Sequence, residues 1–225
     1  MGKIEIYHGS GKIIIKPEFG VGNPKNDYGL GFYCTKSLEL AKEWACTEGC
    51  DGFANKYEID TTSLTVLNLN SSSYNILNWL AILLDNRTFE TKTPLVNRAK
   101  EYLLENFLPD YKRYDIIVGY RADDSYFSFS KSFLNNGISL EQLNRAMHLG
   151  KLGQQFVIKS ERAFEKIKYI ESIPSENQFY YPIRRLRDNK ARDEFYELLK
   201  ETPVDNAQYI IDILRDKIKE DGLRL

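Results

Sequence analysis

A chain of 225 residues with 31 lysines and arginines against 32 aspartates and glutamates has a net charge of −1, so no global field directs it to nucleic acid or membrane. Its 42% hydrophobic and 28% charged residues are ordinary globular composition, and no apolar run approaches the roughly 18–20 residues of a membrane span. Three cysteines, Cys34, Cys46 and Cys50, are an odd number in a sizeable chain, which predicts reduced thiols in a cytoplasm rather than a disulfide frame.

The opening MGKIEIYHGS alternates like a strand instead of forming a leader's apolar block, and Ile6 stands where myristoylation needs Ser or Thr. A strand over Lys3 to His8 places Ile4 and Ile6 on one face and breaks at Gly9-Ser10-Gly11. An apolar stretch from Lys12 to Lys16 stops at Pro17, and Glu18 to Gly31 reads as a loop. Gly31 to Cys34 is a short aromatic strand. Ser37 then caps a helix with Leu38, Ala41, Trp44 and Ala45 at helical spacing, closed by Gly49. Strands follow at Phe53–Asp60 and Leu64–Leu69, helices at Tyr74–Asp85 and Val96–Phe107, and a buried strand at Tyr114–Tyr120.

Ser139 to His148 is helical, Gln155 to Ile158 is a short strand, and Ser160 starts a helix reaching Ile167. Composition shifts after Ser172. Pro174 and Pro182 bracket a polar link, and helices around Ala191–Glu201 and Val204–Asp221 follow. The pattern predicts an α+β domain over residues 1–172 and a helical C-terminal extension over 173–225.

The only histidines, His8 and His148, lie far apart, and Cys46-x3-Cys50 has no second pair, so no metal site is expected. Phosphate-loop and dinucleotide glycine fingerprints are absent. Taken singly, His8 suits a structural histidine, Tyr33 and Trp44 suit core positions, and Asp123 and Asp124 suit a turn cap. Arg184 to Arg192 holds five basic residues and one acidic, just after Phe179, Tyr180 and Tyr181. That segment reads either as a solvated helix start or as a contact to RNA, DNA or an acidic partner.

Taken together, several motifs fall in a telling order. Tyr7-His8-Gly9-Ser10 precedes Asp27-Tyr28-Gly29-Leu30-Gly31-Phe32-Tyr33-Cys34-Thr35, then Ala41-Lys42-Glu43-Trp44-Ala45. Tyr114 to Gly119 leads to Ala122-Asp123-Asp124, and Gln155 to Glu161 comes last. Over residues 3–172 this resembles the ADP-ribosyltransferase fold of the diphtheria-toxin and poly(ADP-ribose)-polymerase type, and more closely the bacterial domain-of-unknown-function family 3990. The resemblance implies a split β-sheet with flanking helices, an NAD+ co-substrate held in the cleft, and no metal.

It further implies that the Gly9 backbone pairs with the nicotinamide carboxamide and that His8, with Ser10 nearby, holds a ribose hydroxyl. Tyr33 and Trp44, eleven residues apart, would sandwich the nicotinamide ring. Gln155 falls where such enzymes carry a glutamate. It can position a hydroxyl, but it brings no charge to an oxocarbenium-like transition state and is no general base. Gln154 is the alternative by one residue, and Asp124 or Glu161 could supply a helper carboxylate. The implied function is mono-ADP-ribosylation of a nucleic acid or protein by a bacterial cytoplasmic toxin. Such a toxin would belong to a toxin–antitoxin or phage-defence module, restrained by an antitoxin partner. The alternatives are a catalytically weak NAD- or ADP-ribose-binding module and an NAD+ glycohydrolase.

Overall fold

A computed structural model describes residues 2–89, 93–121, 124–151, 153–202 and 204–224. The first half contains β1 (Lys3–Ser10), β2 (Phe32–Cys34), α1 (Leu38–Ala45), β3 (Gly52–Asp60), β4 (Val66–Asn68), α2 (Ile76–Asn86) and α3 (Pro94–Asn106). The second contains β5 (Ile116–Tyr120), α4 (Asp124–Leu134), α5 (Leu140–Ala146), β6 (Gln154–Ile158), α6 (Glu161–Phe164), β7 (Ile167–Ser175), α7 (Asn177–Lys200) and α8 (Ile210–Arg215).

Helix starts follow local chemistry. Ser37 accepts from Leu40 N to open α1, Asn75 and Asn78 form a reciprocal capping box on α2, and Thr93 caps α3 ahead of Pro94. The strands form two sheets. One is antiparallel in the order β1-β3-β7, and the other runs β2-β6-β5-β4 with β4 and β5 parallel. Ile6, Phe32, Tyr57, Ile59, Ile116 and Phe156 fill a core between them. A larger core gathers Leu77, Trp79, Leu80, Phe129 and Phe133 beneath the second sheet. Helix α2 is apolar around most of its circumference because it runs through the middle of that core.

Three parts of the sequence reading are corrected here. The helix begun at Ser160 ends at Phe164, and Ile167 opens β7 in place of a helix end and a polar link. Ile167 and Tyr169 pack into the inter-sheet core, and Pro174 is accommodated because β7 is an edge strand that pairs with β3 alone. Beyond it, α7 starts fourteen residues before the expected Ala191 and runs through Pro182, whereas the final amphipathic stretch shortens to Ile210–Arg215. Ala191, Phe195, Leu198, Ile210 and Ile213 all lie in the larger core, with Phe195 stacked on Phe129 at 4.0 Å. A boundary at residue 172 therefore falls inside β7, and the segment after it contributes these five side chains to the larger core.

One buried acid ties the second sheet to α6. Asp115 accepts from Thr65 N at 2.7 Å, Thr65 Oγ1 at 2.8 Å, Ser160 Oγ at 2.6 Å and Arg162 Nε at 2.6 Å. The Arg162 guanidinium, with Ser160 and Thr65 assisting against burial, holds its carboxyl far below the usual carboxylate range. A carboxyl depressed on folding contributes stability above its unfolded pKa and loses it as pH falls towards the folded value. Asp115→Asn is therefore expected to lower Tm at pH 7 by about 4–8 °C, from charged hydrogen bonds worth on the order of 2 kcal/mol. Melting curves at pH 7 and pH 3 check this. The deficit should shrink by about a third at pH 3, and an equal deficit at both would rule out the charge as its cause.

Candidate active site

The two sheets touch through one backbone bridge. Tyr7 N donates to Thr35 O at 2.8 Å, and Thr35 N donates to Tyr7 O at 2.9 Å. Continuing that antiparallel register would pair Gly9 with Tyr33. It does not continue. The His8 ring turns into the space and its Nδ1 meets Tyr33 O at 2.7 Å, taking the acceptor that Gly9 N–H would otherwise use. Backbone groups alternate along a strand, so the N–H and C=O of Gly9 face the same edge as those of Tyr7, where β2 has now parted. One donor and one acceptor are thus offered side by side in the opening.

Because a carbonyl only accepts, Nδ1 of His8 carries the proton and Nε2 is left as an acceptor. Burial lowers the His8 pKa, with the Tyr33 carbonyl partly opposing, so the ring stays neutral to lower pH than a free histidine. The imidazole stacks on Phe32 at 4.4 Å, and Phe32 in turn meets Phe164 at 6.1 Å. Gly9 has its own reason to be glycine. A Cβ there would lie 2.2 Å from Ala41 O, 2.8 Å from Ala45 N and 2.9 Å from the Trp44 Cβ, so α1 packs directly on its Cα. Ser10 Oγ accepts from Lys12 N in the following turn.

Tyr33 points to the opposite face from Phe32. Its hydroxyl donates to Gly29 O at 2.6 Å and accepts from Tyr28 N at 3.1 Å, and burial pushes its pKa up. Lys159 grips the same loop by donating to Tyr28 O and Leu30 O, and burial, then Lys112, lowers its own pKa to about 8. Gly29 has φ +73°, and a Cβ would sit 2.4 Å from Asn86 Oδ1, so this turn requires glycine. Tyr33 is thereby the post around which the 28–31 loop is wrapped.

Gln155 shares the Tyr33 face, since Val157 pairs with Tyr33 and alternation brings Gln155 to the same side. It is 7% exposed, and its buried Oε1 has no hydrogen-bond donor among the described residues. Gln154, one residue earlier, is exposed on the other face. Opposite Gln155, Gly119 has no room for a side chain, because Tyr28 Oη would be 2.3 Å from its Cβ.

Trp44 lies beside Gly9, and its indole carries the Arg121 guanidinium 4.1 Å from the ring centroid. It makes no ring contact with Tyr33 among the described residues. A cleft of about 300 Å³ opens at Trp44 and Arg121, and one of about 440 Å³ opens at Arg121 and Gln154. They reach neither His8 nor Tyr33. The His8 ring, stacked on Phe32, lies on the opposite face of the second sheet from Gln155. Glu161 opens α6 at the far end of β6, so it does not adjoin Gln155. Ala122, Asp123 and the Asp124 side chain lie outside the described residues. No cluster of three potential metal-ligating side chains occurs among the described residues.

Sequence reasoning passed over Tyr28, Arg121 and Lys159. Lys159 had one visible signal, a lysine directly after a buried strand, whereas Arg121 had none. The fold and site together define a mixed α+β protein whose two sheets part at a histidine, exposing one glycine's backbone. The chain belongs to the family described as protein of unknown function DUF3990, whose model matches residues 4–169. No curated protein and no solved structure matches the chain.

Proposed function

We propose that the protein cleaves the nicotinamide–ribose bond of NAD+ and transfers ADP-ribose to a macromolecular acceptor. The observation that carries this reading is the buried, donorless Oε1 of Gln155 on the Tyr33 face of the parted sheets. Leaving such an oxygen unpaired costs on the order of 1–3 kcal/mol, a strain that a ligand hydroxyl relieves. A ribose 2′-hydroxyl is such a donor. The open N–H and C=O of Gly9 complement a planar carboxamide, which presents one acceptor and one donor in return. Nε2 of neutral His8 accepts from a second hydroxyl.

In the reaction the C1′–N bond breaks, and nicotinamide leaves with the electron pair. The acceptor nucleophile bonds to C1′ and gives its proton to solvent. These residues hold the ribose and the leaving amide while positive charge develops. With glutamine in place of a carboxylate, that charge is stabilised only by dipoles, so turnover is slow unless the acceptor is a strong nucleophile. A cytoplasmic toxin restrained by an antitoxin is a setting that suits such an activity. The same glutamine favours the second reading, an NAD- or ADP-ribose-binding module with little catalysis.

Nicotinamide release from NAD+ by the native protein, His8→Ala and Gln155→Ala decides between them. The native rate should exceed both variants by about 5–30-fold, the loss of about one to two kcal/mol of hydrogen bonding in each. It should also fall with acid along a limb whose midpoint lies below pH 6.5, where His8 protonates and Nε2 ceases to accept. Native release no faster than either variant would sink the enzymatic reading.

A further inference from the structure

We infer that the acceptor is single-stranded nucleic acid, seated in a basic groove between α1 and α7 beside Trp44. The choice of acceptor rests on the transfer reading, whereas the groove and its ligand chemistry stand without it. Helix α7 turns Ala191, Phe195 and Leu198 to the core. One of its flanks carries Tyr181, Arg184 and Arg185, and these bound the 300 Å³ cleft together with Trp44 and Arg121. The neighbouring 440 Å³ cleft shares Arg121 and adds Lys151 and Gln154, which immediately precedes Gln155. The two clefts meet at Arg121, so basic side chains line a path from α7 past Trp44 to the start of β6.

Arg187 is paired with buried Glu43 at 2.8 and 2.9 Å, and the charges that bear on a ligand are those of Arg184, Arg185 and Lys151. Arg184 donates to the Cys46 carbonyl at 3.1 Å, a neutral partner that leaves its charge uncompensated. Arg185 and Lys151 have no carboxylate partner among the described residues. Two of the three carboxylates described at the rim are occupied, Glu43 by Arg187 and Asp188 by Arg192, which leaves Glu48 among the described residues to oppose the field. Cations tracking a backbone and flat aromatic faces between them are what unstacked nucleotides recognise. The exposed apolar residues Ile183 and Leu186 of α7 lie on the other flank, so a protein seated by apolar contact would bind there and not in this groove.

The test is fluorescence anisotropy with labelled 12-nucleotide oligo(U), 12-nucleotide oligo(dT) and a 12-base-pair duplex, from 50 to 200 mM salt. Both single strands should bind at least fivefold more tightly than the duplex, and the stronger of the two names the backbone preferred. Arg185→Glu combined with Lys151→Glu should weaken single-strand binding at least tenfold. It should also reduce the log–log salt slope by about 1.4, from roughly 0.7 per lost phosphate contact. Lys3→Glu, the same kind of reversal at the remote end of β1, should stay within twofold of the native protein. No saturable binding at 50 mM salt, or equal weakening by Lys3→Glu, overturns the inference. So does transfer of adenylate label from NAD+ to lysate material that protease removes and nuclease does not. Lost binding with intact nicotinamide release defeats only this inference. Intact binding with no release defeats the enzymatic reading and keeps the groove.

Discussion

Gln155→Leu is expected to melt no lower than the native protein while releasing nicotinamide at least tenfold more slowly. The two halves of this result come from one atom. Oε1 is buried and has no donor, so removing it relieves a penalty on the order of 1–3 kcal/mol. Leucine nearly conserves the volume between Val157, Gly119 and the Tyr33 face, so no cavity of consequence opens. A buried glutamine kept for structure would behave oppositely, because its replacement would strand a partner and lower Tm by several degrees. Differential scanning fluorimetry with an NAD+ cleavage assay on the same preparations reads both quantities. A variant that loses stability and keeps its turnover would show that Gln155 holds the fold and not a ligand.

Gly9→Ala is expected to have the second large effect, in the opposite pattern, losing stability and turnover together. A methyl at Gly9 would press on Ala41 O at 2.2 Å and Ala45 N at 2.8 Å, both main-chain atoms of α1 that no rotamer change can move. Overpacking of this kind costs about 1–3 kcal/mol, or roughly 2–12 °C of Tm for a chain of this size. Helix α1 has to shift, and it carries Trp44 and Arg121's stacking surface with it. NAD+ cleavage should therefore fall by at least tenfold even at temperatures where the variant is fully folded. Calorimetry paired with the same assay checks the outcome. A native-like Tm would mean that α1 is free to ride outward.

Most of the first half was legible because each element carried its own boundary. Ser37 marked the start of α1, although the helix ends at Ala45 and Gly49 serves the Thr47–Cys50 turn that follows, and Ile116-Ile117-Val118 announced a buried strand. Helix α4 went unread, since a run of Ser and Phe has little helical propensity. Tyr126, Phe129 and Phe133 become helical by packing into the larger core. Strand β7 was hidden by Pro174, which breaks a central strand but not an edge. Within the site, His8, Gly9, Tyr33 and Gln155 were named from sequence with Gln154 left open, and only the observed register and burial of β6 separate the two glutamines. The parting of the sheets was beyond reach, because it depends on a side chain 25 residues away from the carbonyl it captures. The reason for Gly9 also lay in tertiary contact, through the close approach of α1.

The Tyr7–Thr35 bridge has a mechanical consequence. Elsewhere each sheet is stitched by ladders of many rungs, but two main-chain hydrogen bonds are all that the described backbone places between β1 and β2. The bridge can therefore open locally at two amides without disturbing either ladder, while the apolar core between the sheets holds them together. Amide hydrogen exchange at Tyr7 and Thr35 becomes a gauge of how often this bridge opens, and a molecule spanning it would slow the exchange.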